Sequence, residues 1–387
     1  MKIIIAPDSF KESLPAHEVA TAIAQGVRQA VPTACIHCVP MADGGEGTVL
    51  AIAQSTPCKL MQSTVQNAMG QPVTATWAMA NNETAIIEMA SAAGLEQIQP
   101  QNRNILRSNT FGVGQLILEA LNKKARHIIL GLGGSATTDG GVGMLAALGI
   151  QFMDKNNTLL EPVPEELVRL EKINLSDMDP RLSQIGFTLA SDVNNPLCGP
   201  HGASAIFAPQ KGATPEQVLF LDQVMANYAD ITATTLGKDM RHEQGSGAAG
   251  GLGFAGLSFL KARFRPGVEI VAEFAGLAQL IENADLVITG EGKLDEQTLQ
   301  GKTLAGIAAL AQQHKVPVIV IAGTLGNNYQ ALYNKGITAA FSLCNGPMSL
   351  QEAMQNTSQL LQDRSRDIMQ VFLANQTNKG DKNYKLK

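Results

Sequence analysis

The sequence predicts an α/β fold in which both chain ends build one five-stranded parallel domain and a mixed α/β domain of about 200 residues is inserted between them. Three observations predict it. Strands and helices alternate near both ends of the chain. The strands there are short, uninterrupted apolar runs, such as IIIA in 2–6 and VPVIVIA in 316–322, as expected of strands buried on both faces. The middle of the chain instead contains strands that alternate apolar with polar residues, the mark of a sheet with one wet face. A length of 387 residues falls between two domains and three.

Taken in order, residues 2–6 are the first strand, and residues 13–30 follow as a helix with Leu14, Val19, Ile23 and Val27 on one stripe. Residues 36–41 are a second strand and 46–54 a second helix. Residues 59–66 and 73–80 read as exposed alternating strands and 85–89 as a further short strand. A helix over 112–123, a buried strand over 127–130 and a helix over 141–148 come next. Strands are expected at 150–153, 187–190 and 203–207, and helices at 215–235 and 247–264. The βα pattern then returns: strand 284–289, helix 303–314, strand 316–322, helix 327–335, strand 339–343 and a closing helix over 349–374. Right-handed crossovers restrict how such units can be wound. The predicted domains are therefore 1–57 with 267–375, an insert over 58–266, and a polar tail over 376–387 expected to be disordered.

Composition excludes several function classes. Charged residues are 16% and hydrophobics 45%, too apolar for a disordered chain. A net charge of −5 argues against a nucleic-acid partner. Five cysteines and 37 glycines without a period fit neither a disulfide scaffold nor collagen. Only Ile3 to Ala6 precede Pro7 and Asp8, too short for a signal core, and no apolar run is long enough for a membrane span. Cys35 and Cys38 form a C-x-x-C, but on a strand, where they point to opposite faces. Reduced thiols in a cytoplasmic enzyme are expected.

Aromatics are only 4%, while about one residue in ten is glycine, and the glycines concentrate in three segments. The first, 131–143 (GLGGSATTDGGVG), follows a strand and precedes a helix. Glycine permits close backbone approach, and a helix start supplies N–H donors and a positive dipole end. With Ser135, Thr137 and Thr138 these make an anion site. The segment also contains G-x-G-x-x-A, with Gly133 as its second glycine and Ala136 last, and Asp154 stands about 20 residues on. That is the dinucleotide fingerprint and supports a rival reading, an NAD-dependent hydroxy-acid oxidoreductase. The second segment, 245–256 (GSGAAGGLGFAG), matches a similar pattern but follows no strand. It reads as a second backbone cradle at a helix start. The third, 290–302 (GEGKLDEQTLQGK), sits at a strand's carboxyl end, where open α/β sheets bind ligands. It ends in Gly301-Lys302-Thr303 but has Glu296 where a P-loop needs its first glycine, so it is not a Walker A loop. Glu291 and Asp295 offer carboxylates for a metal, and Lys293 and Lys302 charges for phosphates. Three more segments place acids at strand ends: PDSFK (7–11), ADGGEGT (42–48) and SDVNNPL (191–197). A lone Asp in such a place is usually a helix cap. Their recurrence beside one another favours a shared cleft.

Together the motifs APDSFKESL, ADGGEGT, GLGGSATTDGG, SDVNNPLCG, FAPQKGA, GSGAAGGLG and ADLVITGEGKLDEQTLQGK resemble the bacterial type 2 glycerate kinase family. They run in family order from residue 6 to about residue 302, so the resemblance covers essentially the whole chain. Glu12 stands where the family often has Gly, and SNTFGVGQL where it more often has a Thr-Gly pair and a Glu. The resemblance implies a flavodoxin-like sheet with a second α/β domain inserted, and ATP-dependent phosphorylation of D-glycerate with 2-phosphoglycerate as product. It implies D-glycerate and ATP as partners and Mg²⁺ as the metal, with no nucleic acid and no membrane, and is compatible with a homodimer.

Kinases mainly position groups and stabilise charge. Gly133, Gly134, Ser135 and Thr137 of the first loop, Gly247, Gly250 and Gly251 of the second, and Lys293 and Lys302 are the candidate nucleotide-binding residues. Asp192, Glu291 and Asp295 are the candidate Mg²⁺ ligands. Lys11 is assigned to the glycerate carboxylate or the transferred phosphoryl group. Asp8, Asp43 or Asp192 serves as the base. An interdomain cleft that closes would exclude water.

Overall fold

The computed structural model describes residues 1–294 and 302–381. In chain order its strands are β1 Lys2–Ile5, β2 Cys35–Cys38, β3 Cys58–Gln66, β4 Pro72–Ala80, β5 Thr84–Glu88, β6 His127–Gly131, β7 Gln151–Met153, β8 Lys172–Asn174, β9 Gly186–Ala190, β10 Arg263–Arg265, β11 Leu286–Leu294, β12 Val318–Leu325 and β13 Ala339–Ser342. The chain divides into two compact units, Met1–Ala42 with Val268–Lys387, and Asp43–Gly267. The first boundary falls before the helix Thr48–Ser55, not after it as the sequence suggests, because that helix packs on β3, β4 and β5.

The first unit is a five-stranded sheet in the order β13-β12-β11-β1-β2, parallel throughout. Counted within the unit this is the order 2-1-3-4-5, the flavodoxin-like winding. Ile3, Ile4 and Ile5 of the interior strand β1 are wholly buried, which is why that run carries no polar alternation. The helices Ala16–Ala30 and Thr357–Asp381 cross closely at Gly26, where a Cβ would stand 2.1 Å from the Gln362 carbonyl oxygen. Val19, Ile23 and Val27 then meet Leu361 and Met369 in one core.

The second unit is a six-stranded sheet in the order β10-β9-β6-β5-β4-β3. β10, β9, β6 and β5 are parallel neighbours, and β4 and β3 continue antiparallel. β7 and β8 form a separate hairpin. The core is aliphatic around the fully buried Trp77, Phe152, Tyr228 and Phe254.

Several elements differ from expectation. Residues 203–207 are helical (Ala203–Phe207); ASAIF fits period 2 and period 3.6 alike, and a run this short cannot separate them. The helix expected over 247–264 stops at Phe259, and β10 follows as an edge strand beside β9. The closing helix is two helices, Leu350–Gln355 and Thr357–Asp381, the second reaching into the segment expected to be a disordered tail. Tyr329–Lys335 is a 3-10 helix. β11 runs on to Leu294 and pairs with β12 as far as Leu294↔Leu325, so GEGKL is strand, not loop.

Candidate active site

In the first unit the chain leaves β1 and runs beside the far half of β11. The Ala6 and Asp8 amides donate to the Ile288 and Gly290 carbonyls at 2.9 and 2.8 Å. The Asp8 carboxylate accepts from the Ser9 amide at 2.6 Å. Gly290 has no room for a side chain, since a Cβ would lie 2.4 Å from the Ile321 carbonyl oxygen, and at Gly292 a Cβ would lie 3.7 Å from the Lys11 amide. Asp8, Lys11, Glu291 and Lys293 are thereby gathered at the carboxyl ends of β1 and β11. The two acids are half-buried and the two lysines exposed. Glu12, where the resembling family often has glycine, takes φ +61°, a left-handed conformation that costs a residue with a side chain about 1–2 kcal/mol. Asp295 lies outside the described residues. Lys302 opens the helix Lys302–Gln313, and its side chain lies outside them too.

In the second unit three motifs converge at the carboxyl ends of β6 and β9. The turn Asp43–Gly45 lies on those ends with almost no clearance. A Cβ on Gly133 would stand 2.4 Å from Gly45 Cα, one on Gly44 2.6 Å from the Ala190 carbonyl oxygen, and one on Gly267 2.1 Å from Asp43. The Gly133 amide donates to the Gly44 carbonyl at 3.3 Å, and the Gly45 amide to the Asp43 carboxylate at 3.0 Å. Asp192 stands two residues past the end of β9, half-buried. So Asp43, Gly133, Gly134, Ser135 and Asp192 are neighbours, and of these Asp43 and Gly134 are exposed.

The inner half of the glycine loop faces the other way. Thr137, Thr138 and Asp139 are fully buried. Asp139 is filled by four donors: the Thr110 amide and hydroxyl at 2.8 and 2.7 Å, and the Gly141 and Gly143 amides at 3.1 and 3.0 Å. Its carboxyl is nonetheless pushed up by burial. The second glycine segment packs on this inner half. Gly250 (φ +67°) has its Cα against the Thr137 carbonyl, where a Cβ would be at 2.0 Å, and Gly251 abuts Gly140. Gly247 donates to the Asn195 carbonyl at 2.9 Å. All three are buried, so Gly250 and Gly251 lie beneath the Gly133–Ser135 face rather than on it, and Gly247 packs against Asn195 and Pro196.

Two groups escaped the sequence reading. Lys211, from FAPQKGA, is 2% exposed and donates to Ser135 Oγ at 2.7 Å and to the Thr137 carbonyl at 2.5 Å; desolvation draws its pKa down to about 7. Glu88 ends β5 opposite Gly131 and accepts from the Val49 amide at 2.6 Å in the first turn of the helix Thr48–Ser55. Burial raises its carboxyl to about 7 against the opposing backbone donors. The one signal for Lys211 was a lone charge inside the otherwise uncharged motif FAPQKGA.

The dinucleotide fingerprint is not completed. Its acid, Asp154, lies half-buried just after β7, and β7 pairs with β8 instead of lying beside β6.

The model of the glycerate kinase family matches residues 3–373. A glycerate kinase of Bacillus subtilis is 44% identical over 369 residues, 95% of this chain and 97% of its own. A glycerate 2-kinase of Escherichia coli is 42% identical over 381 residues, 98% of this chain and 100% of its own. A crystal structure described as that of a glycerate kinase 2 from Salmonella typhimurium LT2 superposes with a TM-score of 0.84 at 42% identity, covering 97% of this chain and 99% of that one.

Proposed function

This chain belongs to the glycerate kinase family, a family of phosphotransferases, and on that premise we propose that it transfers the γ-phosphoryl group of ATP to the 2-hydroxyl of D-glycerate, releasing 2-phosphoglycerate and ADP. What supports the reading is that, in one unit, the Gly134–Ser135 backbone, the turn carrying Asp43 and the chain that leaves β9 toward Asp192 meet at adjoining strand ends. Backbone N–H groups of a glycine-rich strand-to-helix loop receive phosphate oxygens, and a carboxylate beside them can take the proton of an attacking hydroxyl.

In this reading Gly133, Gly134 and Ser135 hold the phosphates. Gly247, Gly250, Gly251 and Thr137 support them from below. Asp192 or Asp43 takes the hydroxyl proton, with Asp8 the third candidate. Lys11 and Lys293 meet negative charge on glycerate or on the transferred group. The acids present are oxygen donors of the kind Mg²⁺ prefers, and Mg²⁺ is held by one or two carboxylates together with phosphate oxygens, so Asp192 or Glu291 suits it. When bound, Mg²⁺ neutralises charge on the phosphates. The candidate groups are divided between the two units, so a single reaction that uses both sets calls for an interdomain cleft. A reducing cytoplasmic setting suits the five free cysteines.

The test is a coupled assay with D-glycerate, ATP and Mg²⁺, with the product read by phosphorus NMR. ADP release with a 2-phosphoglycerate signal is expected. No ADP release overturns the kinase reading, and a 3-phosphoglycerate signal overturns the position of transfer.

A further inference from the structure

Lys211 is too deeply buried to touch a substrate, yet it is bonded to the loop assigned to the phosphates. It ends the 3-10 turn Pro209–Lys211 with 2% of its surface exposed, and its ammonium donates to Ser135 Oγ at 2.7 Å and the Thr137 carbonyl at 2.5 Å. The nearby acid of the loop, Asp139, is occupied by the Thr110, Gly141 and Gly143 donors. The lysine is thus spent on the loop itself, at a large desolvation cost. A serine hydroxyl has one proton and two acceptor sites. Once an ammonium donates to the oxygen, the hydroxyl's own proton must be given elsewhere. Ser135 is half-buried beside the exposed Gly134, so the outer face of the loop is within its reach.

We propose that Lys211 is a positioning residue for phosphoryl transfer that acts through Ser135, its buried ammonium orienting the Ser135 hydroxyl as an outward hydrogen-bond donor to a phosphate of ATP. The inference rests on the reading of Gly133–Ser135 as the phosphate cradle. It gives the buried charge a route to the ligand: a charge-assisted hydrogen bond on the inside strengthens the donor on the outside.

A double-mutant cycle tests it, with MgATP affinity measured by calorimetry on the full chain for wild type, Ser135→Ala, Lys211→Met and the double variant. Each single change should weaken binding about 10- to 100-fold. The double variant should lie within about threefold of either single one, since both remove the same donor. Wild-type affinity in Lys211→Met, or a double variant showing the product of the two losses, overturns the role of Lys211. Wild-type affinity in Ser135→Ala overturns the inference itself, because that variant keeps the backbone N–H groups of the cradle, whereas a wild-type chain that binds no MgATP removes the cradle reading on which the inference stands. Should Lys211→Met fail to fold, the wild-type chain with ¹⁵N-labelled lysine supplies the second measurement. The Lys211 ammonium resonance should move when MgATP is added and stay fixed in Ser135→Ala; an unmoved resonance in wild type overturns the inference.

Discussion

Two aspartates of the second unit lie eight and two residues from their strand ends in chemically opposite settings. Asp139 is wholly buried and takes four hydrogen bonds from its own loop and from Thr110, so its work is to hold the backbone. Asp192 is half-buried past the end of β9, and in the proposed reaction it meets the hydroxyl or the metal. Asp192→Asn should therefore lower turnover by about 10²-fold or more and leave the thermal unfolding midpoint within a few degrees of wild type. Near-wild-type turnover would take Asp192 out of the mechanism. Asp43 and Asp192 were legible in the sequence because each stands beside small or amide-bearing residues after an apolar run. Lys211 was not, because its partner Ser135 is 76 positions away, and no local pattern encodes a pairing at that range.

The helix Thr48–Ser55 carries the ADGGEGT turn into place, and Glu88 holds its first turn through the Val49 amide. Burial raises this carboxyl from 4.5 to about 7. Between those values the folded chain keeps a proton that the unfolded chain has lost, so the group's contribution to stability is present near the lower value and fades as pH rises to the upper one. The full difference is at most about 3 kcal/mol. Glu88→Gln keeps an acceptor for the amide but cannot ionise. Its unfolding midpoint should vary less than wild type's between pH 5 and pH 8, and parallel profiles would show that Glu88 does not titrate there. A second element-level contact is the turn against strand β6. Gly133→Ala places a methyl 2.4 Å from Gly45 Cα, which should cost about 1–3 kcal/mol of stability. It should also lower kcat/KM beyond that loss, by moving Asp43. Unchanged kcat/KM would mean that the close approach serves packing alone. The glycine clusters were readable as special backbone. Which of them faces ligand and which faces another loop was not, since Gly250 and Gly133 look alike until Thr137 and Gly45 are seen beside them.

The second unit is one continuous stretch with its own sheet and core, whereas the first is assembled from both chain ends. A fragment spanning 43–267 should thus fold alone and unfold cooperatively in urea, and should turn over no glycerate, because Asp8, Lys11 and Glu291 belong to the other unit. A fragment without a cooperative transition would show that its core depends on the first unit, and measurable turnover would remove those three residues from the chemistry.

By itself the sequence determined the alternation of strand and helix, the apolar runs of the central strands, the places where the chain needs bare backbone, and the resemblance that the family match later established. Each of these is set by neighbours a few residues apart, through side-chain periodicity and the steric freedom of glycine. Tertiary structure alone decided that β11 continues to Leu294 against β12, that the ASAIF run is a helix, and that Gly250 and Gly251 lie under the 131–143 loop. It alone placed a buried lysine behind Ser135. Those outcomes depend on contacts between segments tens of residues apart, whose energies exist only once the chain has closed on itself.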